Sequence, residues 1–170
     1  MREFKTLWKG FNFAFKMYGN LRRKNVDLPY VIHPIRVAMI LRAAGFSEFE
    51  NRDLMLAALF HDLLEDTDLT YEELKTEFGK DIALIVRELS KPDSIIKEDW
   101  LEAFENSSKE AKLIKMADRI DNLMDIKSIG WSIEKKREYA EQGLIILKIC
   151  RNASPSLANE LENLIKQLNE

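Results

Sequence analysis

Leu54-Met55-Leu56-Ala57-Ala58-Leu59-Phe60-His61-Asp62-Leu63-Leu64-Glu65-Asp66-Thr67 runs from an apolar block straight into a cluster of ionisable side chains. Seven successive apolar residues leave a helix with no polar side. A helix over about 50–64 therefore belongs at the centre of a fold rather than on its surface. At about 3.6 residues per turn, His61 lies above Glu65 and Asp62 above Asp66. Carboxylates packed this closely at the end of a buried helix repel one another and are costly to desolvate. A divalent metal neutralises them directly, and imidazole with carboxylate suits Mn, Fe or Zn better than Ca. The competing reading is plainer: acids at a helix end facing water, with Asp66-Thr67-Asp68 an ordinary turn.

Helical periodicity extends outward from this block, and no segment sustains strand alternation. Further helices are predicted over about 3–18, from near Tyr30 to Gly45, and over about 70–77, 80–89, 95–104, 109–128, 133–151 and 155–169. Gly19-Asn20 closes the first, the box Thr70-Tyr71-Glu72-Glu73 opens another, and Gly130-Trp131-Ser132 precedes the helix at 133. No internal repeat or long linker interrupts them, so the expectation is an all-α chain forming one domain over 1–170.

The composition agrees. With 46% apolar and 32% charged residues, and a net charge of −3, the 170-residue chain can bury one sizeable core and is not disordered. No apolar run approaches the length of a membrane span. The single Cys150, with no secretory signal, suggests a reducing, cytoplasmic setting. A sequence pI near 5.6 leaves no basic footprint for nucleic acid. Residues 1–26 depart from the average, with seven basic residues against Glu3 alone. Phe4, Leu7, Trp8, Phe11 and Phe15 recur there at helical spacing and serine is absent. The segment is accordingly expected to be a helix facing the core, not a transit or membrane-surface peptide.

Only two histidines occur, His33 and His61. Pro29-Tyr30-Val31-Ile32-His33-Pro34 places the first at the start of a helix, where its ring can face a neighbour; a core or capping role is its plainer reading. Between Lys112 and Asp125, apolar residues claim most of a helix surface, yet Asp118, Asn122 and Asp125 follow at i, i+4 and i+7. Such a polar stripe on a helix that otherwise favours burial needs a cationic or hydrogen-bonding partner.

Taken together, the order His33 … His61-Asp62 … Asp118 resembles the H…HD…D signature of HD-domain metal-dependent phosphohydrolases. Arg22-Arg23-Lys24 … Pro29-Tyr30 … His33-Pro34, His61-Asp62-Leu63-Leu64-Glu65-Asp66-Thr67 and Lys115-Met116-Ala117-Asp118-Arg119 … Asn122-Leu123 are similar to three boxes of the alarmone hydrolases. The likeness is nearest to their small, Mesh-type branch and runs from about residue 10 to the end. The resemblance implies an HD-domain helical bundle of roughly eight helices, with one metal per chain, manganese, held by His33, His61, Asp62 and Asp118. It implies that Glu65 and Asp66 orient or deprotonate the attacking water. Arg23 and Lys24 would meet the base or a phosphate, and Asn122 and Asp125 would line the nucleoside pocket. Which of Lys135, Lys136 or Arg137 reaches the phosphates stays open. Tyr18, Asn20 and Asp121 depart from residues common in the family, and Asp125 replaces the threonine of its larger members. The implied reaction is hydrolysis of the 3′-pyrophosphate of (p)ppGpp, giving GDP or GTP and pyrophosphate. A phosphatase for another phosphorylated nucleotide such as NADPH, and a non-catalytic nucleotide sensor, are the alternatives; the presence of Glu65 and Asp66 counts against the sensor.

Overall fold

The computed structural model describes residues 2–23, 27–92, 94–128 and 132–168. Within them the chain is all-α: α1 (Arg2–Tyr18), α2 (Ile32–Ala43), α3 (Arg52–Phe60), α4 (Leu63–Asp66), α5 (Tyr71–Phe78), α6 (Lys80–Leu89), α7 (Lys97–Phe104), α8 (Lys109–Ser128), α9 (Ile133–Cys150) and α10 (Pro155–Leu168). The nine helical segments read from the sequence become ten, because the one expected over about 50–64 is divided. A 3-10 turn at Arg151–Ala153 joins the last two, and an isolated bridge pairs Arg22 with Pro29. Among the described residues, no helix is long and apolar enough to cross a membrane.

Two helices form the axis of the core. Every residue of α3 from Leu54 to Phe60 is buried, as its lack of a polar side requires. α8 buries Ala111, Leu113, Ile114, Met116, Ala117, Ile120 and Leu123 almost completely. Each fully buried Leu, Ile or Met of this kind contributes about 1.5–3 kcal/mol of transfer free energy. α1, α2 and α6 pack on α3, while α2, α9 and α10 pack on α8. α2 thus touches both axial helices, and a side chain in its first turn is held between them. Local signals set several ends. Thr70 and Glu73 form the expected reciprocal capping box on α5, and Gly79, at φ 97°, makes the turn that separates α5 from α6. Ser132 caps α9, whereas Gly130 and Trp131 lie outside the described residues.

The helix expected over about 50–64 is interrupted. α3 ends at Phe60, Asp62 sits at φ −101° and ψ −1°, and α4 restarts at Leu63. The amides of Glu65 and Asp66 both donate to the Asp62 carbonyl, at 3.2 and 2.9 Å. In an unbroken helix adjacent side chains diverge by about 100°. The break instead brings them together, with His61 Nε2 lying 2.9 Å from Asp62 Oδ2. Asp62 and Asp66 keep their common side, both lining one cavity.

α1 is also rotated relative to the expectation. Its core face is Leu7, Gly10, Ala14 and Tyr18, while Trp8, Phe11 and Phe15 stand outside at 62%, 37% and 56% exposure; the side chain of Phe4 lies outside the described residues. Close approach explains the choice. A Cβ on Gly10 would come within 2.3 Å of Leu56 Cδ2, so α1 reaches α3 only along its small-residue face. The Tyr18 hydroxyl then donates to the Leu59 carbonyl at 3.3 Å, and Phe13 packs edge-on to Phe60 and Phe78. Gly10→Ala is therefore expected to destabilise the fold by about 1 kcal/mol, the overpacking cost exceeding the helix-propensity gain. A lowered urea midpoint at unchanged slope is the readout.

Candidate metal centre and nucleotide pocket

His33 enters from the first turn of α2, His61 from the end of α3, and Asp118 from the middle of α8. All three are buried, at 1%, 2% and 6% exposure. The two rings are oriented by groups that can only accept. His61 Nδ1 donates to the Ala58 carbonyl at 2.8 Å, and His33 Nδ1 donates to Asp121 Oδ2 at 2.6 Å. Both Nε2 atoms consequently turn inward and face each other at 3.2 Å. Asp118 Oδ1 lies 3.3 Å from His33 Nε2, and Asp62 Oδ2 lies 3.5 Å from it. Two imidazole lone pairs and two carboxylates around one point require a positive charge there. With nothing but protons available, His33 supplies it: burial opposes its charge, hydrogen bonds to Asp118 and Asp121 outweigh that, and its pKa rises to about 9. A divalent cation fits the same point better, since both Nε2 atoms are then ligands. His33, His61 and Asp118 each offer a donor atom within 4.8 Å of the others and could hold one.

The surrounding shell explains how so many acids stay ionised. Burial works to raise the carboxyls of Asp62 and Asp118, yet both are held low, Asp62 by His61 and His33, Asp118 by Lys115 and His33. Lys115 Nζ sits 3.2 Å from Asp118 Oδ2, and the Asn122 amide donates to Asp118 Oδ1. The Tyr30 hydroxyl donates to Asp62 Oδ2 at 2.6 Å. Its ring packs against Tyr18, which continues the connection to α1. Asp121 and Asp125 are neutralised by two arginines. Arg36 NH2 donates to Asp121 Oδ2 at 3.0 Å and to Asp125 Oδ2 at 2.7 Å. Its Nε lies 2.6 Å from Asp121 Oδ1 but off the hydrogen-bond direction. Arg23 donates to Asp125, Asn122 and Asp121 at 3.2, 2.8 and 3.3 Å.

A cavity of about 240 Å³ opens beside this cluster, with Arg23, Tyr30, Asp66, Asn122, Asp125 and Tyr139 among its walls. Of the residues singled out from sequence, Asp62, Asp66 and Asp118 line it together with His33, Arg23, Asn122 and Asp125. Glu65 does not: it lines an adjoining cavity of about 260 Å³ with Lys91, Lys115, Arg119 and Gln142, and its carboxylate accepts the Lys91 amide. Lys24 lies outside the described residues. Lys135, Lys136 and Arg137 line neither cavity. Tyr30, Arg36, Lys115, Asp121 and Tyr139 were missed as site residues. Asp121 was legible in principle, because it lies three residues from Asp118 and four from Asp125 on the same helix face.

Helices that bring two imidazoles and two carboxylates to one buried point define a recognisable class. The profile of the family described as "HD domain" matches residues 10–149, and the chain belongs to the HD-domain family. Within it, the chain is 36% identical to the guanosine-3′,5′-bis(diphosphate) 3′-pyrophosphohydrolase MESH1 of Danio rerio, over 94% of this chain and 92% of that one. It is 33% identical to the protein of the same name from Homo sapiens, over 97% and 96%. A solved structure described as "A metazoan ortholog of SpoT hydrolyzes ppGpp and plays a role in starvation responses" matches with a TM-score of 0.87 at 31% identity. It covers 95% of this chain and 94% of its own.

The arrangement makes Asp121 the orienting partner of His33. Asp121→Asn is expected to weaken divalent-metal binding by about 10–100-fold, in the range found for such partners of metal-bound histidines. Asp118→Ala is expected to abolish it. Calorimetric titration of metal-stripped protein measures both.

Proposed function

We propose that this chain is a hydrolase that removes the 3′-pyrophosphate of (p)ppGpp, giving GDP or GTP and pyrophosphate, with one manganese ion held by His33, His61, Asp62 and Asp118. The observation that carries the reading is the pair of inward-facing Nε2 atoms flanked by Asp62 and Asp118 beside a polar cavity. The activity named for the similar MESH1 proteins supports the choice of substrate. Two imidazoles with two carboxylates favour manganese over calcium. Held there, the cation supplies Lewis acidity, lowering the pKa of a water toward neutrality and polarising phosphorus.

The chain's own residues do the rest. Asp66, in the wall of the cavity, and Glu65, in the wall of the adjoining one, orient the attacking water and between them accept its proton. Burial pushes the Glu65 carboxyl up, the Lys91 amide partly offsets this, and Asp62 adds to the rise. A carboxylate whose pKa moves toward the working pH is a better general base. Arg23, Asn122 and Asp125 form the nucleoside side of the pocket. On the far side, Lys91, Lys115 and Arg119 gather positive charge where a departing pyrophosphate has to be stabilised. Residues 1–170 act in this reading as one catalytic unit on a small nucleotide in the cytoplasm.

The test is direct. Purified protein with Mn²⁺ is expected to release pyrophosphate from ppGpp, and a chelator or His61→Ala to stop it. Glu65→Ala is expected to lower turnover by about 10²–10⁴-fold while metal stays bound. Manganese-loaded protein that leaves ppGpp intact but dephosphorylates NADPH would overturn the substrate assignment and keep the reaction class.

A further inference from the structure

The aromatic residues that α1 turns away from the core do not stand alone. Across from Trp8, Phe11 and Phe15 lie Met39 on α2 and Phe49 in the α2–α3 connection, at 63% and 66% exposure. Between these two banks runs an apolar groove of about 570 Å³, more than twice the volume of the nucleotide pocket, with Leu59 in its lining. Taking about 150–250 Å² for each large side chain, the exposed fractions of these five amount to roughly 600 Å² of apolar surface. That is at the upper limit of what a monomer ordinarily leaves in water. Pairing two such faces with all of that surface covered removes about 1,200 Å² before any rim residue is counted, the lower end of the range of stable specific interfaces.

We propose that this groove is the contact face of a homodimer, closed by a second copy of the chain through a twofold axis. The face is suited to pairing with itself because it carries both parts of an interlocking contact. One bank is an aromatic ridge and the other side is a groove able to receive it, as an isologous interface requires. Charge selects the axis. Lys5 and Lys16 are exposed on the outer side of the α1 ridge, while on the opposite bank Glu48 is already paired with Arg42, both in the groove lining. A twofold axis running along α1 sets the aromatic ridge of each copy over the Met39 and Phe49 bank of the other and keeps the lysines apart. An axis across α1 would stack lysine on lysine. The inference is independent of the catalytic reading: on α2, His33 and Arg36 face the metal cluster, whereas Ile35 and Met39 face the groove.

Sedimentation velocity of the full chain over about 1–100 µM, the range in which a standard-size interface of modest affinity dissociates, tests this. The expected result is a species of twice 19.9 kDa at the upper end. Trp8→Lys and Phe49→Lys, on opposite banks, are each expected to raise the dimer dissociation constant at least about 30-fold, as loss of a central aromatic contact does. Leu144→Lys, which replaces an exposed apolar side chain on α9, is expected to leave it unchanged. All three changes are at exposed positions, and unaltered circular dichroism confirms the fold. A wild-type chain that stays at 19.9 kDa throughout, or a dimer that persists in both groove variants, overturns the proposal. So does a monomer that floats with phosphatidylserine vesicles only while Trp8 and Phe49 are intact; that outcome assigns the face to lipid.

Discussion

Two imidazoles with their outer nitrogens already committed can each offer only one atom inward, and in this fold both point at the same place. A point surrounded by Nε2 atoms and carboxylates in a dry helical interior is tolerable only with positive charge on it. Much of the architecture serves that condition. α2 must touch both α3 and α8 so that His33 stands between them. α3 must stop at Phe60 so that His61 and Asp62, adjacent in the chain, converge rather than diverge. Asp121 must be buried, because without an acceptor at Nδ1 the His33 ring is free to turn.

Burying Asp121 has its own cost, and the arginines meet it. Arg23 and Arg36 take up the charge of Asp121 and Asp125 through direct contacts, leaving Asp62 and Asp118 to the cluster itself. Truncating one member of such a network leaves a buried charge unpaired, which typically costs 3–5 kcal/mol. Arg23 therefore has two duties. It lines the cavity beside the cluster, and it completes the charge balance of α8 whether or not that cavity is filled.

The residues of the cluster could be read from sequence because their types and order are unusual: both histidines, an adjacent His61-Asp62 pair, and an acid in the middle of an apolar helix. What surrounds them was harder to read. Arg36, between Ile35 and Val37, looks like any solvent-facing arginine until α8 is placed opposite. The break at His61-Asp62 carries no glycine or proline, and Leu63-Leu64 continue the apolar pattern through it. On α1, periodicity offered two faces at helical spacing, one large and aromatic, one with Gly10 and Ala14. Hydrophobicity favours the first, but the distance at which two backbones can pack favours the second, and distance decided.

The break between α3 and α4 also divides the chain into spacings that can drift and one that cannot. His33 and His61 are 28 residues apart, and the path between them crosses the connection after α2, where added residues cost little closure entropy. The path from Asp62 to Asp118 likewise crosses several connections between helices. His61 and Asp62 have no such slack, because one residue inserted between them would rotate one of the two out of the cluster. Across the descendants of such a chain, loops are expected to lengthen and shorten on either side while this dipeptide stays undivided, the fixed point from which the other distances are measured.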